Sequence, residues 1–376
     1  MAVITENQVL EALKVVQDPD LHRDIVALEF VKNIKISSGA VKFDVQLTTP
    51  ACPVKEDLKA QCLEAVNAIP GVTSVDITMT AQVPKTAGSK KTDLLKDVRH
   101  VVAVASGKGG VGKSTATANL AVALAQTGAR VGILDADIYG PSMSMMFQVS
   151  ESPVLDDKQK LHPVIVNGIK IVSMAMFADD EKPVIWRGPM VSQMIQNFVH
   201  NVVWGELDYL LIDMPPGTGD VQLTLTQSAP LSGGIIVTTP QDVSVLDAKK
   251  GLKMFQKVSV PVLGIIENMS YFICDNCEKK HYIFRQGGGR RISNSLGIPF
   301  LGEIPLEPEV AVGGDAGLPI VEKNPSSQSA IKYREIAGLL AQELSIMTIA
   351  QTGVLTDYDY SWATIPKVEE NSRIKA

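Results

Sequence analysis

Short blocks of apolar and polar residues follow one another over the first 81 residues of the chain. Residues 5–8, Thr-Glu-Asn-Gln, have the form of a capping box, and apolar side chains then recur every three or four positions, as on one face of a helix. Apolar and polar residues alternate over 41–47 and again over 75–79, which predicts two half-buried strands, and a second helix is predicted over 54–68. We expect a small α/β domain with elements in the order α-β-β-α-β, which includes one strand whose bounds the pattern does not fix.

The pattern changes at residue 100 to a repeat of apolar run, glycine turn and helical stretch. Each run is apolar at nearly every position, which is typical of a parallel strand covered on both faces. The runs are 101–106, 130–137, 209–215, 233–240 and 262–270. The alternation predicts an α/β fold with a mostly parallel sheet, and we assign residues 99–350 to this larger domain.

Two segments outside these domains have few apolar residues. Residues 82–98 carry proline, glycine, serine and several lysines, and we interpret them as a linker whose lysines face solvent. Residues 351–376 form a polar C-terminal tail with isolated tyrosine and tryptophan. The full length of 376 residues is sufficient for two domains of this kind.

The strongest motif follows the first apolar run of the larger domain. Residues 107–114, GKGGVGKS, fit the P-loop pattern G-x-x-x-x-G-K-[ST] and lie between that strand and a predicted helix over 114–126. Glycines let backbone N–H groups turn towards phosphate oxygens, and the helix N-terminus adds partial positive charge. Lys113 is expected to contact the β- and γ-phosphates, and Ser114 to ligate Mg²⁺. The nucleotide-binding residues predicted here are Gly107, Gly109, Gly110, Val111, Gly112, Lys113, Ser114 and Thr115.

Three aspartates at the ends of apolar runs are expected to lie beside the P-loop. Asp135 and Asp137 close the second run, and Asp213 follows a fully apolar stretch in LLIDMPPGTGD. The carboxyl ends of parallel strands meet at one edge of a sheet, where carboxylates hold Mg²⁺ or position an attacking water. We place Asp213 and Asp135 at the magnesium ion, with local hydrogen bonding as the alternative for Asp135. The stiff turn at 215–217 is expected to sense the γ-phosphate.

The four cysteines are too few for a disulfide framework, but two of them are spaced C-x-x-C. Cys274 and Cys277 are compatible with incidental thiols, a redox pair, a shared zinc ion or a shared iron–sulfur cluster. A tetrahedral zinc ion or a [4Fe–4S] cluster takes about four ligands. One chain supplies one such pair, so a two-fold dimer would bring two pairs together across its axis.

Composition and charge argue against several classes of function. The chain has 41 acidic and 35 basic residues and a net charge of -6, so it has no general basic field for nucleic acid. No apolar run approaches about 18 residues, so no transmembrane helix is expected. The N-terminal sequence has neither a signal-peptide nor a transit-peptide composition. We therefore expect a cytoplasmic protein that binds neither nucleic acid nor membrane.

Six segments together resemble the Mrp/ApbC family of iron–sulfur cluster carrier ATPases, in the deviant P-loop class that includes MinD and ParA. They are KGGVGKST, DADIYGPS, RGPM (187–190), DMPPGTGD, ENMSYFICDNC and GEIPLEPEVAVGGDAGLP (302–319). The resemblance covers roughly residues 98–345. The first 80 residues resemble the small α/β domain fused to many of these carriers, through the segment TTPACP.

The resemblance implies roles at the nucleotide site. It implies a slow ATPase that uses ATP and Mg²⁺, with Lys108, Lys113 and Asp137 in catalysis. Lys108 would reach across a homodimer to the partner's nucleotide, and Asp137 would position the attacking water. Asn268, in ENMS, would hydrogen-bond the adenine.

The resemblance also implies a cargo and partners. An iron–sulfur cluster, expected as [4Fe–4S], would bridge Cys274 and Cys277 of two chains and pass to apo-proteins. The partners would be an iron–sulfur scaffold and apo-protein clients. Cys52 is interpreted as a cluster relay or a partly buried structural thiol, and Cys62 as a core residue.

Two positions depart from the family pattern. Glu278 follows the C-x-x-C where the family usually has glycine, and Arg285 stands at the first glycine of a later glycine motif. The loop around the metal is therefore expected to be stiffer or differently charged. Two other functions are left open: a positioning ATPase of the MinD/ParA type, which the acidic tail does not favour, and a nucleotide-regulated zinc-binding scaffold.

Overall fold

The computed structural model describes residues 4–19, 21, 23–52, 54–84, 95–138, 140–177 and 188–351. The chain forms two compact units, one of the described residues up to 84 together with 341–351, the other of residues 95–340. Five predicted features fall partly or wholly outside the described residues: 85–94 of the linker, 352–376 of the tail, Arg187 of the RGPM segment, Pro53 of TTPACP and Tyr139 of DADIYGPS.

The first unit contains a three-stranded sheet, two whole helices and residues 341–351 of the last helix that the structure describes. Its elements are α1 (Glu6–Leu13), β1 (Gln17–Asp18), β2 (Arg23–Asp24), β3 (Val31–Ser37), β4 (Ala40–Leu47), α2 (Lys55–Asn67) and β5 (Ser74–Ala81). The capping box at Thr5 and Gln8 is present, with both side-chain hydrogen bonds made. The central strand β4 pairs antiparallel with β3 and parallel with β5 and buries every second residue. The predicted order is confirmed, with the short β1–β2 pair added after α1.

An eight-stranded sheet organises the second unit. The strands of this unit are β6 (Val98–Ala105), β7 (Val131–Asp135), β8 (Val154–Leu155), β9 (Leu161–His162), β10 (Val164–Val166), β11 (Ile169–Ser173), β12 (Leu207–Asp213), β13 (Gly233–Thr238), β14 (Val262–Glu267), β15 (Phe272–Ile273), β16 (Lys280–His281) and β17 (Phe300–Glu303). The sheet order is β10-β11-β7-β12-β6-β13-β14-β17, and every neighbouring pair except β10–β11 is parallel. The mostly parallel sheet is therefore confirmed.

Of the described α-helices after β6, six lie between strands along the chain and three follow the last strand, β17. They are α3 (Lys113–Gln126), α4 (Met143–Met146), α5 (Gly188–Asn201), α6 (Asp220–Ser228), α7 (Asp242–Lys257), α8 (Gly288–Leu296), α9 (Pro308–Asp315), α10 (Ile320–Lys323) and α11 (Gln328–Gln351). Among the helices that the structure describes, none has both the length and the apolar character needed to cross a membrane.

Burial explains which strands were visible in the sequence. β12 and β13 are buried at every position, so both read as unbroken apolar runs. The predicted run 262–270 is too long, because β14 ends at Glu267 and the chain then turns. The edge strands β10 and β17 are only three and four residues long, and the sequence pattern missed them.

Candidate functional site: a P-loop and a cysteine hairpin

The P-loop connects β6 to α3 at the carboxyl edge of the sheet. Gly110 and Gly112 both have a φ of 78°, in the left-handed region that glycine enters without strain. Two glycines also allow close packing. A Cβ on Gly107 would lie 2.1 Å from the backbone carbon of Asp247, and one on Gly112 would lie 2.2 Å from Nδ2 of Asn268. Backbone conformation and close approach therefore account for the glycines at these positions.

Lys113 begins α3 and lies between acidic side chains. Its Nζ is 2.8 Å from Oδ1 of Asp213 and 3.5 Å from Oδ2 of Asp137. The Ser114 hydroxyl donates to Oδ2 of Asp213 at 2.5 Å, and the Thr117 hydroxyl donates to Oδ1 at 2.9 Å. The Lys113 side chain is only 6% exposed, so its charge is balanced within the site rather than by water. The structure thus brings together the lysine, serine and aspartates that the sequence singled out.

The two strand-end aspartates are direct neighbours. Asp213 of β12 pairs with Asp135 of β7 in the register of the parallel strands. Burial raises the pKa of the Asp213 carboxyl, an effect that the Lys113 ammonium opposes. Burial and the nearby charge of Asp213 raise the pKa of Asp135 to about 7. The pair therefore carries less than its full charge of two near neutral pH, because one carboxyl group is partly protonated.

Asp135 is held by local donors. Its Oδ2 accepts from the N–H groups of Ser142 and Met143, both at 3.1 Å, and from the Ser173 hydroxyl at 2.8 Å. Its Oδ1 accepts from the N–H of Asp137 at 3.2 Å. Four donors on a fully buried carboxyl favour the hydrogen-bonding role that the sequence left open for this residue. Its bonds fix the start of the segment that carries Asp137.

Asp137 faces the open side of the site. It lines a cavity of about 250 Å³ together with residues of the P-loop, Gly140 and Pro216. Its Oδ1 is buried and has no hydrogen-bond partner within the described part of the chain. A buried carboxylate oxygen without a partner is costly, so this atom is suited to hold a cation or a water molecule that enters the cavity.

Lys108 lines the same cavity, with a half-buried side chain. Among the residues that the structure describes, no acidic side chain forms an ion pair with it. The carbonyl of Lys108 accepts from the Ser106 hydroxyl at 2.9 Å, which holds the backbone of the loop. The lysine charge is thus available to an anion in or near the cavity.

The turn after Asp213 is connected to the P-loop. The N–H of Gly217 donates to the Ser106 carbonyl at 3.0 Å. The buried Gln222 amide donates to the carbonyls of Pro215 and Pro216 at 2.9 and 2.7 Å. Sequence reasoning missed Gln222; the signal was a glutamine at the start of a helix directly after a Gly/Pro-rich turn.

Asn268 packs against the P-loop at Val111 and Gly112. Its side-chain amide donates to the carbonyl of Val111 at 2.9 Å, and its own N–H donates to the carbonyl of Thr238 at 2.8 Å. Asn268 is 6% exposed. The resemblance predicts that this residue contacts the adenine, and that role stays a prediction. In the structure its amide supports the backbone of the P-loop.

The cysteine pair lies on a small hairpin six residues further on. β15 and β16 pair antiparallel, and the N–H of Cys274 donates to the carbonyl of Lys279 at 3.1 Å. Cys274 is half-buried and Cys277 is exposed. Backbone N–H groups of Asn276 and Cys277 donate to the Cys274 sulfur and lower the pKa of its thiol, which favours the thiolate that metals bind.

A histidine that the sequence analysis did not consider joins the two cysteines. The ligand atoms of Cys274, Cys277 and His281 all lie within 4.8 Å of one another. The sequence signal was a histidine four residues after the second cysteine. Two thiolates and an imidazole are suitable ligands for zinc or iron.

The two departures from the family pattern share one backbone property. Glu278 has a φ of 56° and Arg285 a φ of 76°, so both adopt the left-handed conformation that glycine favours. Arg285 also forms an ion pair with Asp242. The loop thus keeps a backbone suited to glycine with charged residues in its place.

The other two cysteines lie in the first unit. Cys62 is buried on α2, as predicted, and burial raises the pKa of its thiol to about 11. Cys52 follows β4 and is half-buried. Cys62 is therefore a packing residue, whereas the relay role of Cys52 stays a prediction.

Two family models match the chain. Residues 97–341 match the family described as NUBPL iron-transfer P-loop NTPase, and residues 6–78 match the family described as iron-sulfur cluster assembly protein. Both matches agree with the resemblance found in the sequence.

Curated relatives match over nearly the whole chain. An iron-sulfur cluster carrier protein of Synechocystis is 48% identical over 355 residues, covering 92% of this chain and 100% of the relative. The protein with the same name in Deinococcus radiodurans is 44% identical over 343 residues, covering 91% of this chain and 96% of its own. A solved structure of a nucleotide-binding protein from Archaeoglobus fulgidus, in complex with ADP and with cobalt found in it, is 38% identical. It covers 64% of this chain and 94% of its own, with a TM-score of 0.56.

Proposed function

The chain belongs to the NUBPL iron-transfer P-loop NTPase family, and on that premise we propose that it is an ATPase that carries an iron–sulfur cluster in a homodimer. The cluster is the cargo, and apo-proteins are its recipients. One observation carries the proposal: the segment that hydrogen-bonds the P-loop through Asn268 continues directly into the hairpin of Cys274 and Cys277. A change at the nucleotide therefore has a short covalent path to the thiolates.

The nucleotide site supports ATP with Mg²⁺. The P-loop N–H groups and Lys113 would hold the phosphates, because they line the cavity at the N-terminus of α3. The Ser114 hydroxyl and the Asp213 carboxylate lie 2.5 Å apart and are hard oxygen donors of the kind that Mg²⁺ prefers. Bound there, the ion would neutralise phosphate charge. The hydrogen bond of Asn268 to the adenine stays a prediction that rests on the resemblance.

Hydrolysis needs a positioned water and charge near the γ-phosphate. Asp137 faces the cavity and has a free acceptor atom, which suits it to orient a water towards the γ-phosphorus. Lys108 has no acidic partner in the described chain and, in the proposed dimer, would contact the partner's nucleotide. Lys108 gives the dimer a reason to form when ATP is bound, since each chain would then complete the site of the other.

The cargo site needs two chains. Cys274 and Cys277 of one chain provide two thiolates, and the two-fold partner provides two more, which matches the about four ligands of a [4Fe–4S] cluster. Both side chains are at least partly exposed, so a cluster held there is accessible to another protein. Accessibility favours transfer over permanent retention. The proposed partners are therefore an iron–sulfur scaffold and apo-protein clients.

Loss of the γ-phosphate would act on the cargo site through two connected segments. The turn of Pro215 and Pro216 is bonded to the P-loop through Gly217 and Ser106, and Asn268 is bonded to Val111. Both contacts depend on the loop conformation. A dimer whose geometry follows these contacts would expose or protect the cluster according to the nucleotide, which is a population shift between two states.

Metal analysis and absorption spectroscopy of anaerobically purified protein test the cargo. We expect iron and acid-labile sulfide with broad thiolate-to-iron absorbance in the wild type. Cys274→Ser should lose both, whereas Cys52→Ser, which changes a half-buried cysteine of the other unit, should retain them. A colourless, zinc-loaded wild type would instead identify a nucleotide-regulated zinc protein.

A further inference from the structure

His281 lies in the cysteine hairpin at a position set by strand register. In the β15–β16 ladder, Phe272 pairs with His281 and Ile273 pairs with Lys280. Paired residues of an antiparallel ladder point to the same face, and residues two apart on a strand do so as well. His281 is therefore the diagonal neighbour of Cys274 on one face of the hairpin.

Hydrogen bonds and packing fix this register. The N–H of Cys274 donates to the carbonyl of Lys279 at 3.1 Å, and the N–H of Glu278 donates to the carbonyl of Cys274 at 2.8 Å, closing the turn. On the opposite face, the Lys280 ammonium lies 4.2 Å from the centre of the buried Tyr271 ring. A shift by one residue would exchange Lys280 and His281, so the cation–π contact helps to hold the histidine on the cysteine side.

The three ligand atoms are close to the spacing that a metal ion requires. They lie within 4.8 Å of one another. Around a tetrahedral zinc ion, with a Zn–S bond of about 2.3 Å and a Zn–N bond of about 2.0 Å, neighbouring ligand atoms are about 3.5–3.8 Å apart. Closing a difference of roughly 1 Å requires small side-chain rotations at exposed or half-buried residues.

We infer that Cys274, Cys277 and His281 of one chain form a mononuclear site for a divalent, thiol-binding transition metal such as Fe²⁺ or Zn²⁺. Three protein ligands leave one tetrahedral position open. Cys277 and His281 are exposed, so that position is accessible to water or to a ligand from another molecule. The site needs no second chain, and it therefore goes beyond the dimer-shared cluster and does not depend on it.

Titration of reduced, metal-free, full-length protein with Co²⁺ tests the site. Wild type should bind one Co²⁺ per chain with sulfur-to-cobalt charge-transfer absorbance and the intense visible bands of tetrahedral cobalt. His281→Ala should weaken Co²⁺ binding by at least 10- to 100-fold, because loss of a direct ligand costs no less than loss of an outer partner. His281→Cys, which supplies another soft ligand, should restore tight binding.

His162→Ala is the matched control, because His162 is also an exposed histidine of the second unit but pairs with Asp156. It should bind Co²⁺ as the wild type does. Unchanged ADP binding by each variant shows that it is folded. Equal Co²⁺ affinity in wild type and His281→Ala, or one Co²⁺ per two chains in wild type, would overturn the single-chain site.

A parallel measurement separates this site from the proposed carrier function. Iron and sulfide are determined after anaerobic cluster reconstitution of wild type and His281→Ala. If neither protein forms a cluster while Co²⁺ binding depends on His281, the carrier proposal fails and the mononuclear site stands. If both proteins form a cluster while Co²⁺ binding does not depend on His281, the mononuclear site fails and the carrier proposal stands.

Discussion

The side-chain amide of Asn268 donates a hydrogen bond of 2.9 Å to the carbonyl of Val111, the residue at the centre of the P-loop. Asn268 also crowds Gly112, where any side chain would collide with it. The cysteine hairpin begins four residues later, at Phe272. This contact is thus a direct structural link between the nucleotide loop and the segment that carries the thiolates.

Asn268→Ala should weaken ADP and ATP binding and reduce the effect of nucleotide on the hairpin. A buried carbonyl that loses its donor costs about 1–3 kcal/mol, part of which the bound nucleotide must overcome when it orders the loop. Calorimetry of nucleotide binding, and hydrogen exchange of the hairpin with and without nucleotide, measure the two effects.

Ser270→Ala is the matched control for this variant. It also removes a buried hydrogen bond from the same segment, the one to Glu267, but it does not touch the P-loop. Equal loss of nucleotide affinity in Asn268→Ala and Ser270→Ala would show that the Val111 contact has no special role.

Lys108→Ala should bind ATP nearly normally but hydrolyse it at least about tenfold more slowly. A charge supplied from a partner chain to the transferred phosphoryl group is worth roughly 10³–10⁵ in other P-loop NTPases. Lys113→Ala, by contrast, should lose nucleotide binding, because it removes the buried ammonium at the phosphates.

Mixing Lys108→Ala with Asp137→Asn tests whether the lysine acts across the dimer. In a mixed dimer, the Lys108→Ala chain keeps its own Asp137 and receives Lys108 from its partner, so one of the two sites is complete. Random mixing should restore about a quarter of wild-type activity. Activity no higher than that of either variant alone would place Lys108 in its own chain's site.

Asp135 should make the nucleotide-free protein less stable as pH rises through neutrality. Its pKa is raised from 3.8 to about 7 in the folded chain, so the folded state binds more protons than the unfolded state between these values. The contribution of Asp135 to the free energy of unfolding is therefore complete below about pH 4 and is lost as pH rises through about 7. Urea unfolding at pH 5 to 8 measures it.

Asp135→Asn mimics the protonated carboxyl, and its unfolding free energy should decline less over that pH range than that of the wild type. Thr5→Ala, a helix-cap variant of the other unit, controls for general effects of lower stability, and its pH dependence should match that of the wild type. Parallel curves for all three proteins would assign the ionisation elsewhere.

Glu278→Gly should stabilise the protein relative to Glu278→Ala. Both variants remove the carboxylate, but only glycine removes the left-handed strain of roughly 1–2 kcal/mol at a φ of 56°. The greater freedom of glycine in the unfolded chain offsets about 0.4–1 kcal/mol. The net gain should be up to about 1.6 kcal/mol in urea unfolding, and an alanine variant at least as stable as the glycine variant would refute it.

The fold was largely predictable because its central strands are buried on both faces and are separated by glycine turns. β12 and β13 were visible for this reason, whereas the short edge strand β10 was not, since three residues carry too little pattern. Lys113, Ser114 and Asp213 were identified because motif spacing and strand ends place them, and the structure brings them into contact.

Contacts between distant segments were less accessible from the sequence. The Asn268–Val111 bond joins residues 157 positions apart, and His281 reaches the cysteines only through hairpin register. The Asn268–Val111 bond has no local pattern, whereas the spacing of His281 from Cys277 is local but does not show which face of the hairpin the histidine occupies. The cytoplasmic location, the dimer and the relay role of Cys52 stay predictions of the sequence.

Cluster transfer under nucleotide control tests the central claim most directly. Cluster-loaded protein is mixed under anaerobic conditions with an apo-protein that gains activity on receiving a [4Fe–4S] cluster, with ATP, with ADP, and without nucleotide. We predict that the client is activated, that the rate differs between ATP and ADP by at least about tenfold, corresponding to about 1.4 kcal/mol, and that Lys113→Ala abolishes the difference. Equal rates under all three conditions in wild type, or no transfer at all, would contradict the account.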